Sequence, residues 1–418
     1  MNYSESVQYL YSLGNEVLTA KLGLDRIRAL LQGLGNPHRA GRWIHVAGTN
    51  GKGSTSAMIE AGLRASGVRT GLYISPHLVE PTERIQIAGR PVSREQFAGA
   101  FQRVHETAER MLDSRELDMH PTYFETVTAM AFLLFAAEKV PTTVLEVGLG
   151  GRLDATNVVT PELCVITPID FDHQMFLGDT IEQIAAEKAG ILKPGVPAVF
   201  AEQRPEAERV LLAHARGPYT LSRDWTIADL TIDARGSRFR LLGPIRPHSS
   251  GARLDITCPL AGEHQVENAR VAAIALAQLG VSPEGIAATR WPARLERVSE
   301  QPEILIDGAH NPAGVRALVA YIRRFYSGRR VWIVYGALRD KAVAEMSSML
   351  FPLADRLILT APANVRAMPP EDIPAAGGQI THSIGEAIGL LAGAAPEDAV
   401  FITGSLYLAG EARALLVK

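Results

Sequence analysis

The sequence has few of the features that mark secreted, membrane-bound or nucleic-acid-binding proteins. Its 418 residues include only two cysteines, Cys164 and Cys258, each within an apolar β-type run. We therefore expect buried thiols rather than a disulfide framework, which fits a reducing cytoplasm. The formal net charge is -3 at pH 7, so charge gives no reason to expect nucleic acid or an anionic membrane as a partner.

Long apolar runs and targeting signals are also lacking. The longest apolar stretch, 127–137, is far shorter than the ~20 residues that a transmembrane helix needs. The N-terminal sequence MNYSESVQYLYSLG has neither the basic nor the apolar segment of a signal peptide, so we expect none. With 47% hydrophobic and 21% charged residues and no repeat, the chain is typical of a soluble globular protein, and its length suggests two or three domains.

The most informative segment that is present is WIHVAGTNGKGSTSAMI, residues 43–59. An apolar β-type run leads into the turn Gly48–Ser54, and helix-compatible residues follow from Thr55. This order of strand, glycine-rich turn and helix predicts a phosphate-binding loop, in which backbone N–H groups and the helix N-terminus face an anion. Lys52 is placed to reach terminal phosphates, and the Ser54 hydroxyl is placed to reach Mg²⁺.

The loop departs from the regular Walker A pattern at two places. Val46 stands where that pattern has glycine, and Gly53 stands where a hydroxyl residue normally follows the lysine. The alternative interpretation is an ordinary turn whose glycines serve only tight backbone geometry. A lone lysine in such a turn has little structural use, so we favour the phosphate-binding loop.

The pattern of apolar runs predicts an α/β fold in two domains, 1–288 and 289–418. Two short helices over 4–34 precede the loop, and apolar β-branched strands with interleaved helices then indicate a mostly parallel sheet covered on both faces. Residues 217–258 indicate a small antiparallel β section, followed by a helix over 263–279. After proline-containing connectors at 285–292, four buried strands predict a Rossmann-like C-terminal domain. The strands expected there are 304–310, 331–338, 356–362 and 399–405; those expected earlier are 69–74, 142–148, 163–169 and 197–201, with helices at 54–66, 93–112 and 123–138.

Three residues at predicted strand ends are candidate metal ligands. Glu146 ends one strand, His173 lies in the DFDH segment after another, and Ser75 follows a third. In parallel sheets these strand ends face the crevice where ligands bind, and Mg²⁺ prefers oxygen ligands beside phosphate. For His173 a capping role and for Ser75 a turn role remain open on sequence grounds.

Lys188 lies in the unusually apolar helical stretch IAAEKAGIL. On the residues alone we favour a surface lysine whose stem lies along apolar neighbours. The functional alternative is a lysine in the metal cleft with a lowered pKa, which reacts with CO₂ to give a carbamate.

Polar residues near the second half of the chain are candidates for nucleotide contacts. Gln265 and Asn268 share a helix face and are suited to an adenine or a phosphate, although a cap and a solvent face explain them equally well. Arg294, near the domain boundary, suits a γ-phosphate, and Asp307 ends a strand at the ligand-facing edge.

Taken together, these segments resemble the folylpolyglutamate synthase/dihydrofolate synthase family of the Mur ligase superfamily. The resemblance runs from the loop almost to the C-terminus. Gly53 after the lysine is more similar to the folate enzymes than to the cell-wall ligases, and only 47 residues precede Gly48, fewer than we expect for their UDP-sugar-binding domain. The motifs that carry it, in chain order, are HVAGTNGKGS, YISPHLVEPTERI, TYFETVTAMAF, LEVGLGGRLDATN, DFDH, EKAGILKPG, GEHQVENA, RLE, DGAHNP and TGSLYLAG.

The resemblance implies a role for each candidate residue. It makes Lys188 the carbamylated lysine of the family, contrary to our interpretation of that residue alone, and it makes Lys52, Glu146 and His173 catalytic as well. The phosphate-binding residues it implies are Thr49, Asn50, Gly51, Lys52, Gly53 and Ser54; the further ATP contacts are Asn268, Arg294 and Asp307; the metal ligands are Ser54, Ser75, Glu146 and His173; the pterin-site residues are Thr122, Tyr123, Phe124, Glu125, Leu153, Asp154 and Ala155; His310 and Ser405 belong to the region of the incoming glutamate.

The implied activity is ATP-dependent ligation of L-glutamate to dihydropteroate, to reduced folate, or to both, through an acyl phosphate. The implied cofactors are ATP and Mg²⁺ at two sites, with K⁺ as a further candidate. We expect a cytoplasmic monomer whose partners are small-molecule substrates, not nucleic acid or membrane. The alternatives are a Mur-type ligase acting on a cell-wall precursor and a non-catalytic P-loop ATP switch.

Overall fold

The fold is taken from a computed structural model, which describes residues 1–14, 23–244, 252–374 and 377–417. The chain divides into two compact units. The N-terminal unit comprises Met1–Ala228, Arg240–Ile256 and Glu267–Ala288; the C-terminal unit comprises Asp229–Phe239, Thr257–Val266 and Thr289–Lys418.

An eight-stranded sheet forms the centre of the N-terminal unit, with strand order β4-β3-β2-β5-β1-β6-β7-β8. All neighbours in it run parallel except the pairs β2/β3 and β3/β4. The buried central strands carry apolar side chains on both faces, as a sheet covered by helices requires. The strands are β1 (Arg42–Ala47), β2 (Thr70–Tyr73), β3 (Ile85–Ile87), β4 (Arg90–Pro91), β5 (Thr142–Glu146), β6 (Leu163–Ile166), β7 (Ala198–Phe200) and β8 (Tyr219–Leu221).

Helices between these strands confirm the predicted alternation. Ser93 and Thr122 begin α4 and α5 with capping boxes, in which the hydroxyl accepts from the N–H of a residue three positions later whose side chain returns the bond. The helices are α1 (Tyr3–Ser12), α2 (Asp25–Gly33), α3 (Lys52–Ala65), α4 (Arg94–Asp113), α5 (Tyr123–Ala137), α6 (Gln174–Leu177), α7 (Ile181–Ala189), α8 (Pro205–His214) and α9 (His264–Gln278).

A three-stranded sheet follows in the sequence, with order β11-β10-β9. Its strands are β9 (Thr226–Asp233), β10 (Gly236–Gly243) and β11 (Ala252–Cys258). They lie within the β section predicted for 217–258, but the first part of that prediction is wrong. Residues 219–221 form β8, which pairs parallel with β7 at the edge of the large sheet. The stacking of Tyr219 on Phe200, with ring centroids 5.9 Å apart, stabilises this pairing. Residues 245–251 lie outside the described part of the chain.

The C-terminal unit contains a six-stranded sheet with order β12-β13-β17-β14-β15-β16. Only the β12/β13 pair is antiparallel. The four predicted buried strands are confirmed as β13, β14, β15 and β17; β12 is largely half-exposed and β16 is two exposed residues, so neither has a clear apolar signal. The strands are β12 (Glu296–Glu300), β13 (Glu303–Ile306), β14 (Val331–Tyr335), β15 (Arg356–Leu359), β16 (Gln379–Ile380) and β17 (Ala399–Thr403); the helices are α10 (Pro312–Phe325), α11 (Val343–Leu350), α12 (Ile384–Leu390) and α13 (Leu406–Leu416).

Parallel strands place their carboxyl ends along one edge of each sheet, where α/β proteins bind ligands. In the N-terminal unit β1 ends before Gly48, β5 ends at Glu146 and β6 ends before Thr167. In the C-terminal unit β13 ends before Asp307 and β17 before Gly404. None of the helices in the described ranges is both long enough and apolar enough to cross a bilayer.

Candidate functional site

The loop after β1 is held by two glycines that no other residue can replace without displacing neighbours. Gly48 and Gly51 have φ angles of 147° and 83°, which favour glycine. A Cβ on Gly48 would lie 1.9 Å from Thr167 Oγ1, and one on Gly51 would lie 2.2 Å from Asn268 Oδ1. Both glycines therefore serve close packing as well as turn geometry, and Asn268 lies beside the loop.

Hydrogen bonds fix the same loop to the segment after β6. The backbone N–H groups of Thr49 and Asn50 donate to Pro168 O at 3.0 and 3.3 Å. The Thr49 hydroxyl donates to Asp170 O at 3.0 Å and accepts from Asp170 N at 3.1 Å. Helix α3 begins at Lys52, earlier than predicted, so its first turn provides the N–H groups that lack intrahelical acceptors and suit an anion.

Two lysines lie against carbonyl groups of this loop. Lys52 Nζ donates to Thr49 O at 3.1 Å, and Lys188 Nζ donates to Gly48 O at 2.9 Å. The Lys188 side chain is not at the surface, because only 4% of the residue is exposed. Burial, with a smaller contribution from the Lys52 charge, lowers the pKa of Lys188 to about 7, against the opposing effect of Asp172 and Asp154.

Glu146 is buried at the end of β5 and contacts the chain that follows β2. Its Oε2 accepts from Ser75 N at 3.1 Å, so the structure brings two of the predicted metal ligands together. His173 has a left-handed backbone and occupies the N-cap position of α6, but its side chain makes no capping hydrogen bond there. Its imidazole Nε2 lies 3.9 Å from Asp172 Oδ1, and the backbone N–H of His173 donates to the same oxygen at 2.9 Å. Carboxylate and hydroxyl oxygens suit Mg²⁺, whereas an imidazole is an unusual ligand for it.

Asp154 organises the glycine-rich loop after β5. Its Oδ2 accepts from the N–H groups of Gly148 and Leu149 at 3.1 and 2.9 Å, and its Oδ1 accepts from the N–H and hydroxyl of Thr156. Burial raises the pKa of Asp154, and these hydrogen bonds oppose that rise. The carboxylate predicted to line the pterin site thus also fixes the shape of its own loop.

The predicted pterin-site residues of α5 lie next to that loop. A Cβ on Gly148 would lie 2.4 Å from the Phe124 ring, so the ring packs directly on the loop backbone. Thr122 and Glu125 form the capping box of α5, and Arg26 Nε donates to Glu125 Oε2 at 2.7 Å. Tyr123 and Ala155 belong to one buried cluster; Leu153 is half-exposed.

In the C-terminal unit, Asp307 is buried and holds two backbone segments together by hydrogen bonds. Its Oδ2 accepts from Leu295 N at 3.0 Å and its Oδ1 from Ala309 N at 2.9 Å. Arg294 donates from Nη1 to Ala293 O at 2.8 Å. A Cβ on Gly308 would lie 2.8 Å from that nitrogen, so the guanidinium packs against the strand end that carries Asp307.

The two residues predicted near the incoming glutamate occupy different settings. His310 Nδ1 lies 2.8 Å from Gly308 O, and since a carbonyl only accepts, this nitrogen carries the proton. Ser405 is buried as the N-cap of α13, where its hydroxyl accepts from Leu408 N at 3.0 Å. Its position alone is explained by helix capping.

Sequence reasoning missed several residues that shape the carboxyl edge of the sheet in the N-terminal unit. Thr167 packs against Gly48, and the backbone of Asp170 forms hydrogen bonds with the Thr49 hydroxyl. The charge of Asp172 acts to raise the pKa of Lys188. The two acids stand in the DFDH segment, where only the histidine was selected. Gln265 and Asn268 are buried, so the solvent-face interpretation of that helix is wrong.

Family models match most of the chain. The model described as the Mur ligase middle domain matches residues 46–277, and that of the Mur ligase glutamate ligase domain matches residues 293–406. The chain is 37% identical over 435 residues to folylpolyglutamate synthase of Lacticaseibacillus casei, covering 100% of this chain and 99% of the relative. It is 36% identical to dihydrofolate synthase/folylpolyglutamate synthase of Mycobacterium tuberculosis, covering 94% and 89%.

Solved structures agree with the sequence matches. Mycobacterium tuberculosis folylpolyglutamate synthase, complexed with ADP and AMPPCP, superposes with a TM-score of 0.88 at 34% identity, covering 100% of this chain and 99% of that one. A structure described as an FPGS–AMPPCP–folate complex gives a TM-score of 0.85 at 35% identity and covers 100% of each chain. By sequence, domain composition and fold, the chain belongs to the folylpolyglutamate synthase/dihydrofolate synthase family of Mur ligases.

Proposed function

We propose that this chain is an ATP-dependent ligase that joins the amine of L-glutamate to the carboxylate of a pteroate-type acceptor, using both dihydropteroate and reduced folate. The observation that carries the proposal is the Gly48–Ser54 loop, with two lysines on its carbonyl groups and the buried Glu146 at the neighbouring strand end. The names of the relatives include both activities, which supports a bifunctional enzyme.

The chemistry requires activation of the acceptor. A carboxylate oxygen is a poor leaving group, so transfer of the γ-phosphoryl group of ATP to it gives an acyl phosphate. The glutamate amine then attacks the carbonyl carbon, forming the amide, and phosphate leaves with the bonding electrons. Positioning and charge neutralisation account for such phosphoryl transfer. Lys52 and the first-turn N–H groups of α3 stabilise the negative charge on the phosphates, and no side-chain nucleophile is needed.

The proposal includes two Mg²⁺ sites. Ser54 serves a metal at the phosphates, and Ser75, Glu146 and His173 serve a second one. The buried carboxylate of Glu146 and the hydroxyl oxygens form a donor set that Mg²⁺ prefers, with His173 the unusual member. When bound, Mg²⁺ supplies positive charge to the phosphoryl oxygens. K⁺ is a further candidate cofactor, tested by replacing it with Na⁺ in the assay.

We further propose a carbamate on Lys188. A pKa of about 7 leaves much of the amine neutral at neutral pH, and a neutral amine adds to the carbon of CO₂ with release of one proton. The product is an anion where the unmodified residue, when protonated, is a second cation beside Lys52. Modification therefore replaces repulsion between Lys188 and Lys52 with attraction.

The remaining residue roles are proposed on the family resemblance. In the N-terminal unit, Asn268 contacts the nucleotide, and Thr122–Glu125 with Leu153–Ala155 line the pterin site. In the C-terminal unit, Arg294 and Asp307 serve the nucleotide, and His310 and Ser405 serve the glutamate. We propose functional domains 1–288 and 289–418 in a cytoplasmic monomer that binds neither nucleic acid nor membrane.

The test is phosphate release measured with ATP, L-glutamate and either dihydropteroate or tetrahydrofolate, omitting each component in turn. Release that requires both the acceptor and glutamate supports the ligase, and activity with both acceptors supports bifunctionality. Activity only with a UDP-muramyl acceptor would identify a cell-wall ligase instead. Slow hydrolysis of ATP whose rate does not depend on the acceptor or on glutamate would identify an ATP switch.

A further inference from the structure

A cluster of two histidines and one glutamate lies in the N-terminal unit and includes none of the residues proposed for the ligase site. His105 and Glu109 are four residues apart on α4 and therefore lie on one helix face. His120 comes from the segment between α4 and α5. One ligand atom from each residue lies within 4.8 Å of those from the other two.

The distances in this cluster suit a shared metal ion, and the shorter of them is also that of a hydrogen bond between Glu109 and His120. Glu109 Oε1 lies 3.0 Å from His120 Nε2 and 3.6 Å from His105 Nδ1. Ligand atoms arranged as a tetrahedron at zinc–ligand distances of ~2.0–2.1 Å are ~3.3–3.4 Å apart, between these two values. The 3.6 Å contact is too long for a hydrogen bond.

His105 supplies an independent observation. Its Nδ1 is buried and has no hydrogen-bond partner among the described residues, although it faces Glu109. The imidazole is held in place because it stacks on Phe101, with centroids 5.6 Å apart and planes 7° from parallel. A buried ring nitrogen without a partner is costly unless something occupies its lone pair, and a metal ion does so.

His120 is oriented in the manner of a metal-binding histidine. Its Nδ1 lies 3.2 Å from Pro121 O, and since a carbonyl only accepts, this nitrogen donates. In the neutral imidazole the lone pair is then on Nε2, the atom that faces Glu109. Such a bond from the other ring nitrogen is the common support for histidine ligands.

Tyr9, on α1, completes the surroundings. Its hydroxyl lies 3.2 Å from His120 Nε2 and 3.5 Å from Glu109 Oε1. A water molecule that donates to or accepts from Tyr9 fits the fourth position of a tetrahedral site.

We propose that His105, Glu109 and His120 bind a divalent transition-metal ion of the zinc class. Two imidazole nitrogens and one carboxylate oxygen suit zinc and disfavour magnesium and calcium, which prefer oxygen. The ion links α4 and the neighbouring Tyr9 of α1 to the segment His120–Pro121–Thr122 that starts α5. This inference does not rest on the ligase function.

The experiment titrates the full-length, metal-stripped protein with Zn²⁺ in excess Mg²⁺, with binding measured by calorimetry. The expected result is one Zn²⁺ per chain, with affinity reduced about 100-fold or more in His105→Gln and in His120→Gln. A matched control is His382→Gln, because His382 Nδ1 lies 3.6 Å from Glu371 Oε1 in a pair that has no third metal-ligating side chain beside it among the described residues. Glu146→Gln tests the proposed Mg²⁺ site and is expected to retain Zn²⁺ binding.

Two further readouts separate binding from folding defects. Co²⁺ in place of Zn²⁺ is expected to give visible absorption bands in the wild type that are lost in both histidine variants. The unfolding temperature is expected to rise with Zn²⁺ in the wild type, His382→Gln and Glu146→Gln but not in His105→Gln or His120→Gln, while all variants fold without metal by circular dichroism. Unchanged binding in both histidine variants would overturn the assignment. Absence of saturable Zn²⁺ binding in the wild type would overturn it too and leave a hydrogen-bonded cluster between α1 and α4.

Discussion

The carboxyl edges of the two parallel sheets share a local order of strand, loop and helix, but their buried charged groups have different partners. In both, a buried parallel strand ends, a glycine packs closely against a polar side chain, and a helix begins. In the C-terminal unit both oxygens of Asp307 accept backbone N–H groups, and Ser405 caps its helix. In the N-terminal unit Lys188 is buried with a second lysine nearby, and its pKa is lowered to about 7.

This difference indicates which sheet edge carries the reacting groups and which one holds loop backbone in a fixed geometry. A buried cation whose pKa is strongly lowered is under electrostatic stress, which a bound anion or a chemical modification relieves. A carboxylate that accepts two backbone N–H groups is satisfied and serves as a brace. We therefore expect substitutions at the carboxyl edge of the sheet in the N-terminal unit to change the catalytic rate. Substitutions at the corresponding edge in the C-terminal unit are expected to change stability or substrate affinity.

The largest expected effect is that of Lys52→Ala. Removal of the charge that neutralises the phosphates is expected to lower the ligation rate by about 100-fold or more, as for other groups that stabilise transition-state charge. The measurement is acceptor-dependent phosphate release, with circular dichroism to check the fold. Lys139→Ala, at an exposed position, is the control and is expected to keep wild-type turnover. Wild-type turnover in Lys52→Ala would place the nucleotide elsewhere.

Lys188→Ala tests whether the buried cation is modified. Most activity is expected to be lost, and short carboxylates added to the assay are expected to restore part of it, because they replace the carbamate anion. No such rescue is expected in Lys52→Ala. Full activity in Lys188→Ala without additives would contradict the carbamate.

The pH dependence of that modification follows from the direction of the shift. With a folded-state pKa of about 7, the amine is protonated below that value and neutral above it, and only the neutral amine adds CO₂. Bicarbonate-dependent carbamate, measured by ¹³C NMR, is therefore expected to fall as the pH is lowered through about 7. A midpoint near the ordinary lysine pKa would contradict the buried setting.

The sequence predicted the central strands well because their apolar runs are long. It also predicted the glycine-rich loop, since the lysine between glycines has few structural explanations. From the residue pattern alone, the burial of Lys188 could not be predicted, because an apolar helical stretch has the same pattern on a surface and in a core. The short strands β4 and β16 were missed because their two residues carry no periodicity; partner strands fix them.

The site was only partly predictable for a related reason. The sequence placed Glu146 and Ser75 at the ligand-facing ends of two predicted strands, and the structure brings them into contact. Nothing in the sequence indicates that Thr167 excludes a side chain at Gly48, since that contact depends on how two loops pack. The cluster of His105, Glu109 and His120 was also not predictable from the sequence. The path of the chain between α4 and α5 brings His120 to α4, and no sequence period indicates this.

A direct comparison of the two carboxylates is Glu146→Gln against Asp307→Asn. Glu146→Gln removes a proposed metal ligand and is expected to lower the ligation rate about 100-fold with little change in stability. Asp307→Asn replaces one accepting oxygen with an NH₂ donor that faces a backbone N–H, which is expected to cost about 1–3 kcal/mol of unfolding free energy. Urea unfolding and steady-state kinetics on both variants measure this. Equal rate losses with equal stabilities would remove the distinction between the two edges.

The smallest expected effect is that of Ser405→Ala, which can be matched within the same unit. Ser383 caps α12 as Ser405 caps α13, each hydroxyl accepting from an N–H three residues later. Loss of either cap is expected to cost about 1 kcal/mol of unfolding free energy. If Ser405 also serves the glutamate, only Ser405→Ala raises the KM for glutamate, by several-fold, while Ser383→Ala leaves it unchanged. Equal KM values in the two variants would restrict Ser405 to capping α13, because a residue that contacts the glutamate cannot be replaced without changing its affinity.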